Sequence, residues 1–151
     1  MPVPGDPAPR FTLPTTAGEL SLDDLTARGK VVLAFYAEDA TPLCSSQLAM
    51  LKDDYDAVRE LGASVLAVSA DSLDSHRQFA ERLGGLPFPL ASDEDLAVAR
   101  LYAVADEEAK RSRRATFVLD EKGIITHAEP WFQPGNSAQF EAIFRALGLE
   151  M

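Results

Sequence analysis

The chain has 151 residues, of which 46 % are hydrophobic and 25 % charged, a composition that indicates a globular protein and excludes a disordered chain. We expect a single domain spanning residues 1–151. The formal net charge of −10 argues against a nucleic-acid or anionic-membrane partner. No apolar run approaches the roughly 20 residues of a membrane helix. Residues 1–6 lack the features of a secretory signal, so we expect a cytoplasmic protein.

Residues 1–30 combine turn-forming residues with short apolar segments. Two short strands are predicted around residues 10–13 and 19–22, with a turn at Gly18 between them. One helical turn is expected over residues 22–27. The apolar run at residues 31–36 then predicts a buried central strand.

Helices and strands alternate along the rest of the chain. Thr41 as N-cap and Pro42 at the first helical position predict a helix that ends at Gly62. The remaining predicted elements are a strand at 64–69, a helix at 72–83, a short extended segment at 88–91, a helix at 93–102, a hairpin of strands at 116–120 and 124–129, and a helix at 137–147. Pro89 favours an edge or irregular strand for the extended segment.

This order of elements predicts an α/β fold with a central sheet and helices on both faces. The closing antiparallel hairpin makes the sheet mixed. The order fits a thioredoxin-like fold with an N-terminal hairpin extension. By pattern alone, a flavodoxin-like sheet fits almost equally well.

Cys44 is the only cysteine of the chain, which excludes an intramolecular disulfide and a multi-cysteine metal site. A free thiol is typical of a reducing compartment. Cys44 falls in the first turn of a predicted helix, where unpaired backbone amides and the helix dipole favour an anion such as a thiolate. From position alone, a reactive nucleophile and a buried structural cysteine are equally good interpretations.

The residues around Cys44 favour the nucleophile. Residues 35–47 read Phe-Tyr-Ala-Glu-Asp-Ala-Thr-Pro-Leu-Cys-Ser-Ser-Gln. This segment resembles the active-site segment of the peroxiredoxins, also called the AhpC/TSA family, and in particular their bacterioferritin-comigratory branch. That branch carries the pattern Phe-Tyr-Pro-x-x-x-Thr-Pro-x-Cys-Thr-x-Gln, which is matched here at Thr41, Pro42, Cys44 and Gln47.

Three further segments resemble the same family in the same order. They are residues 5–13, like its opening strand, residues 88–93, like the segment after its second helix, and residues 113–120, like the strand that carries its active-site arginine. The resemblance covers most of the chain. It implies a thioredoxin-like fold and the thiol-dependent reduction of hydrogen peroxide or alkyl hydroperoxides, with no cofactor and no metal.

The resemblance also implies roles for the matched residues. The Cys44 thiolate would attack a peroxide oxygen and become a sulfenic acid. The Thr41 hydroxyl and the backbone amides of Leu43 and Cys44 would contact the peroxide. Arg114 would stabilise the thiolate and the charge that develops as the O–O bond breaks. Gln47 is expected on the helix surface or just behind the site.

Two of these residues also have a plainer interpretation. Arg114 belongs to a basic cluster at residues 110–114 and could be solvated there, whereas Arg113 would point to the opposite face of the strand. Thr41 could act only as a helix N-cap.

Three positions depart from the family pattern. Ala37 replaces a proline that shapes the cysteine pocket, and Leu43 replaces a favoured glycine that would leave the pocket mouth wider. Ala49 stands where the branch often has a resolving cysteine. The resemblance therefore implies a one-cysteine cycle, in which thioredoxin, glutaredoxin or a small thiol reduces the sulfenic acid. A monomer and a homodimer are both compatible with the sequence.

Two alternative functions compete with the peroxidase. A non-enzymatic redox sensor or binding module on the same fold would explain Ala37 and the lack of a second cysteine. A thioredoxin-type disulfide oxidoreductase would need a cysteine at Gln47 and a proline at Ala115, just before Thr116, and the sequence has neither.

Two histidines and an aromatic pair complete the residues of interest. His76 is predicted to be exposed in the middle of a helix, and His127 is predicted to be structural. Trp131 and Phe132 are expected to pack against the core or a sheet edge, with a partner-contact patch as the lesser interpretation.

Overall fold

The computed structural model describes residues 2–39, 41–133 and 136–148. Within these ranges, no helix combines the length and the apolar character needed to cross a membrane. The strands are β1 (Thr12–Thr15), β2 (Gly18–Ser21), β3 (Lys30–Phe35), β4 (Ala63–Ser69), β5 (Leu90–Ser92), β6 (Ala105–Asp106), β7 (Arg111–Ser112), β8 (Ala115–Leu119) and β9 (Ile125–Glu129). The helices are α1 (Leu22–Thr26), α2 (Pro42–Asp53), α3 (Tyr55–Glu60), α4 (Leu73–Arg82), α5 (Ala97–Leu101) and α6 (Ser137–Ala146).

Seven strands form one mixed sheet in the order β2-β1-β5-β4-β3-β8-β9. Strands β3, β4 and β5 are parallel, whereas β1 and β8 join them antiparallel at either side. The predicted N-terminal hairpin, turning at Gly18 with a φ of 98°, extends the sheet through β1. Because β8 lies antiparallel beside β3, the all-parallel flavodoxin-like arrangement is excluded.

The central strands are mainly apolar because helices cover both faces of the sheet. Alternate residues of β3 point to two separate hydrophobic clusters. One cluster includes Leu25 of α1 and Val98 of α5. The other includes Leu48 of α2, Phe79 of α4 and Phe140 of α6, and it also contains Cys44. The cysteine thus lies on the face covered by α2, α4 and α6.

Two predicted helices are shorter than expected. The helix predicted up to Gly62 is interrupted at Asp54, whose ψ of 8° departs from helical geometry, so that α3 starts anew at the next residue. The helix predicted from Asp93 begins only at Ala97. Leu96, with a φ of 62°, breaks the helical path, and the Asp93 carboxylate accepts hydrogen bonds from the amides that follow.

The prediction of an edge or irregular strand at Pro89 is wrong. Strand β5 pairs with both β4 and β1 and is therefore an interior strand. It begins after Pro89, so the missing amide of the proline costs no ladder hydrogen bond, while the Pro89 carbonyl accepts one from Ala67. The β6–β7 hairpin, which contains Arg111, was not predicted.

The register of β3 and β8 determines where the site forms. Phe35, the last residue of β3, pairs with Ala115, the first residue of β8. Because the two strands run in opposite directions, the residues after Phe35 and the residue before Ala115 lie at the same sheet edge. The carboxyl ends of β4 and β5, Ser69 and Ser92, pair with each other at this edge too.

Candidate active site

The candidate nucleophile lies at the start of α2. Thr41 is the N-cap, with extended backbone, and Pro42 opens the helix. The first intrahelical hydrogen bond runs from the Ser45 amide to the Thr41 carbonyl at 2.8 Å. The Cys44 amide precedes this bond and so has no acceptor within the helix. The Cys44 side chain is fully buried at the positive end of a twelve-residue helix.

Arg114 lies beside this thiol. Its Nη1 is 3.9 Å from the Cys44 Sγ, and the arginine is half-buried. The contact follows from the β3–β8 register, since Arg114 directly precedes β8 and Cys44 lies on the helix that follows β3. A guanidinium keeps its charge at any physiological pH. A permanent positive charge therefore lies next to the sulfur.

Thr41 lies at the same helix start, but its hydroxyl is engaged elsewhere. The hydroxyl donates to the Glu38 carbonyl oxygen at 3.1 Å, and no helical amide donates to it. The N-cap role therefore holds for its backbone and not for its side chain. A donation to a peroxide requires this hydroxyl to turn away from Glu38. The Leu43 side chain and Ala40 lie outside the described residues, and with them the prediction about the pocket mouth.

A buried polar cluster, which we call the loop network, lies under the segment that joins β3 to α2. It consists of Tyr36, Asp39, Asp71, Ser75 and His76. The Tyr36 hydroxyl donates to Asp39 Oδ1 at 2.6 Å, and the Ser75 hydroxyl donates to Asp39 Oδ2 at 2.8 Å. The Asp39 amide donates to Asp71 Oδ2 at 2.9 Å. The network thereby ties the segment before Cys44 to α4 and to the end of β4.

Both ring nitrogens of His76 contact oxygen atoms in or beside the loop network. Its Nε2 is 2.9 Å from the Ala91 carbonyl oxygen, and its Nδ1 is 2.8 Å from Asp39 Oδ2. Carbonyl and carboxylate oxygens only accept, so both contacts are hydrogen bonds when both ring nitrogens carry a hydrogen. The Tyr36 hydroxyl also lies 3.2 Å from the same Nδ1. The Asp39 and His76 side chains are 4 % and 0 % exposed.

The loop network also has the geometry of a possible metal site. Ligand atoms of Asp39, Asp71 and His76 lie within 4.8 Å of one another. The same atoms already have partners within the protein, because Asp71 Oδ2 also accepts from the Ser69 hydroxyl at 2.6 Å. We therefore assign these residues to holding the loop.

Burial, with the Asp39 carboxylate nearby, raises the pKa of Tyr36 well above its ordinary value.

The structure contradicts two expectations about individual side chains and one of the two alternatives for Gln47. His76 is fully buried, and a signal for this exists, since it shares the apolar face of α4 with Phe79. Gln47 is also fully buried, so it does not lie on the helix surface. Neither polar atom of its amide has a hydrogen-bond partner among the described residues. Trp131 is 63 % exposed, whereas its neighbour Phe132 is buried as expected.

A cleft of about 240 Å³, which we call the basic cleft, opens beside Arg114. The residues around it are Ala37, Asp106, Arg111, Ser112, Arg113, Arg114, Trp131, Phe132 and Gln133. The Arg113 guanidinium stacks over the Trp131 ring, 4.1 Å from its centroid. Ala37, which replaces the family proline, contributes to the wall of this cleft.

The sequence of the chain matches a known protein family. The model of the AhpC/TSA family matches residues 4–128. A Coxiella burnetii protein named "Putative peroxiredoxin bcp" is 40 % identical over 133 residues, which are 83 % of this chain and 87 % of that protein. A peroxiredoxin of Thermoplasma volcanium is 36 % identical over 132 residues, which are 83 % of this chain and 64 % of that protein.

Solved structures agree with these relatives. The crystal structure of the peroxidoxin BcpB from Mycobacterium tuberculosis matches with a TM-score of 0.88 and 28 % identity, covering 97 % of either chain. Peroxiredoxins have a thioredoxin-like fold, so the predicted fold class is confirmed.

Proposed function

The chain belongs to the AhpC/TSA family, and on this premise we propose that it reduces hydroperoxides in a one-cysteine cycle with Cys44 as the attacking thiolate. As a family member it is an enzyme, a thiol-dependent peroxidase. The observation that carries the residue assignment is the 3.9 Å contact between Arg114 Nη1 and Cys44 Sγ at the start of α2.

In the first step, the Cys44 thiolate attacks the terminal oxygen of the hydroperoxide. A sulfur–oxygen bond forms while the O–O bond breaks, giving a sulfenic acid and a hydroxide or alkoxide, which takes a proton from water. Negative charge thus moves from the sulfur to the leaving oxygen. The charge of Arg114 lies close enough to stabilise both ends of this movement, as a fixed donor does in an enzyme site.

The start of α2 supplies the remaining contacts of this proposal. The Cys44 amide has no helical acceptor and can donate to a peroxide oxygen. The Thr41 hydroxyl can accept from the peroxide while it donates to Glu38, or donate to the peroxide after turning away from Glu38. Because Cys44 is fully buried, small peroxides reach the sulfur most easily.

In the second step, an external thiol reduces the sulfenic acid. The thiol sulfur bonds to Cys44 Sγ and water leaves, after which a second thiol takes the first one away as a disulfide and restores Cys44. The sequence supplies no second cysteine for an internal disulfide. Thioredoxin, glutaredoxin and a small thiol are all compatible donors, and a cytoplasmic location and a monomeric or dimeric state stay predictions.

Stopped-flow mixing of the reduced protein with hydrogen peroxide, and separately with an organic hydroperoxide, tests this proposal. We expect a rate constant several decades above that of free cysteine, with the faster oxidant identifying the preferred substrate class. Cys44→Ser should remove the reaction. A rate near that of free cysteine contradicts the peroxidase and favours a redox sensor on the same fold.

A further inference from the structure

Besides Arg114, the basic cluster at residues 110–114 places two further arginines at the basic cleft. Three of its arginines line the basic cleft, against the single carboxylate of Asp106. Arg111 is shared with Glu38, at 3.5 Å, outside the cleft lining. Among the described residues, no carboxylate pairs with Arg113 or Arg114. The cleft is therefore positively charged in a chain whose net charge is −10.

Arg113 is held in place by two contacts. Its Nη2 donates to the Ala103 carbonyl oxygen at 2.6 Å, and its guanidinium stacks on Trp131. Its Nε is buried and has no hydrogen-bond partner among the described residues. Two contacts thus fix the guanidinium at the wall of the cleft without neutralising its charge. A fixed cation of this kind fits a carboxylate group on a ligand.

The position of the cleft relates it to the second step of the cycle. Arg114 lines the cleft and also lies 3.9 Å from the Cys44 sulfur, so it joins the two places. Hydrogen peroxide needs no cleft, whereas a reducing thiol must place its body near the buried sulfur. The cleft, with a volume of about 240 Å³, has room for a short thiol compound.

We propose that the basic cleft binds a small, negatively charged thiol, with its carboxylate at Arg113 and its sulfur directed past Arg114 to oxidised Cys44. This inference rests on the proposed one-cysteine cycle and names the class of its reductant. The bound thiol bonds to Cys44 Sγ as water leaves. A second molecule of the same thiol then restores Cys44 and departs with the first as a disulfide.

A charge series of thiols tests the inference. The protein is oxidised with one equivalent of hydrogen peroxide and mixed with 3-mercaptopropionate, 2-mercaptoethanol or cysteamine, which are anionic, neutral and cationic. Rapid quenching and mass spectrometry follow the loss of the sulfenic acid, and rate constants are expressed per thiolate. We expect 3-mercaptopropionate to react about tenfold faster than cysteamine, in line with electrostatic attraction to the cleft.

The variant Arg113→Glu reverses the charge at the proposed carboxylate position. We expect it to abolish or invert the tenfold preference, while Arg113→Gln gives an intermediate ratio. Arg82→Glu, on the exposed end of α4, makes the same charge change away from the cleft and should keep the preference. The ratio between thiols is measured within each protein, so a general loss of stability does not imitate the effect.

The oxidation phase separates this inference from the proposed function. It is measured in each protein before any thiol is added, so the rate at which the sulfenic acid forms is known separately from the rate at which it is reduced. Slow oxidation of the wild-type protein contradicts the peroxidase itself. Fast oxidation followed by reduction that ignores thiol charge, or a preference that Arg113→Glu leaves unchanged, overturns the anionic thiol alone.

Discussion

The two sides of the Cys44–Arg114 pair are constructed in opposite ways. On one side, the polar groups of the loop network are largely buried and have partners within the protein, with His76 and Asp39 joined at 2.8 Å. On the other side, the basic cleft is open, Trp131 is largely exposed and, among the described residues, no carboxylate pairs with Arg113. Paired, buried polar groups thus fix the segment before the nucleophile, whereas cations without a carboxylate partner are free to meet a ligand.

The largest expected effect comes from opening the loop network. Asp39→Ala removes the acceptor of the Tyr36 and Ser75 hydroxyls and the partner of His76 Nδ1, and each buried polar group left without a partner costs about 1–3 kcal/mol. We expect a loss of this size in the free energy of unfolding, measured by urea denaturation. Glu38→Gln is the matched control, because this neighbouring carboxylate is exposed and pairs only with Arg111 at the surface. Similar losses of unfolding free energy in Asp39→Ala and Glu38→Gln would contradict the stabilising role of the loop network.

Arg114→Gln removes the positive charge that lies between the loop network and the basic cleft. Loss of a single donor aimed at developing charge lowers catalytic rates about 10²–10³-fold, and we expect the rate constant for peroxide reduction to fall about a hundredfold. Stopped-flow oxidation of Cys44 measures it. Arg82→Gln should stay near the wild-type rate. A fall of less than about threefold in Arg114→Gln would show that the guanidinium contributes little, whatever its distance from the sulfur.

The smallest expected effect concerns Tyr36 and alkaline pH. Burial raises the pKa of Tyr36 above its ordinary value of 10.0, so above about pH 10 the unfolded chain loses this proton while the folded chain keeps it. The free energy of unfolding should therefore decline as the pH rises above 10. In Tyr36→Phe this decline should be less steep by about 1.4 kcal/mol per pH unit.

Tyr102 provides the comparison for this titration. Burial also raises the pKa of Tyr102, whose hydroxyl donates to the Pro9 carbonyl oxygen far from the loop network. Tyr102→Phe should flatten the alkaline decline as well. At pH 7 only Tyr36→Phe loses a hydrogen bond to a carboxylate, so it should be the less stable variant by about 1 kcal/mol in urea denaturation. Parallel alkaline slopes in wild type and Tyr36→Phe would contradict the buried, protonated hydroxyl.

The sequence predicted the fold class because strand and helix patterns are local signals. The Thr41–Pro42 helix start and the motif before β8 pointed to Cys44 and Arg114, which lie 3.9 Å apart in the structure, and their catalytic roles stay predictions. The burial of His76 depends on Asp39, thirty-seven positions away, and on the Ala91 carbonyl of a strand whose neighbours the sequence did not reveal. The only sequence signal for the burial of His76 is the helical periodicity that places it on the apolar face of α4.

Trp131 was misjudged for a related reason. A tryptophan usually packs into a core, and nothing local indicated that the Arg113 guanidinium would cover one of its faces in place of apolar side chains. The β6–β7 hairpin that accompanies the basic cleft has only two residues per strand, too short for a periodic pattern. What the sequence did not show is therefore mostly the surroundings of the pair.

The β3–β8 register also bears on how the protein gains activity as it folds. Arg114 and Cys44 are 70 positions apart in the chain, and only the pairing of Phe35 with Ala115 brings them together. Contacts between such distant segments form slowly, because a long loop must close first. A chain that has formed α2 but not this pairing has its thiol without the neighbouring guanidinium. During refolding, fast peroxide reactivity should thus return with the completed sheet and not with the first helices.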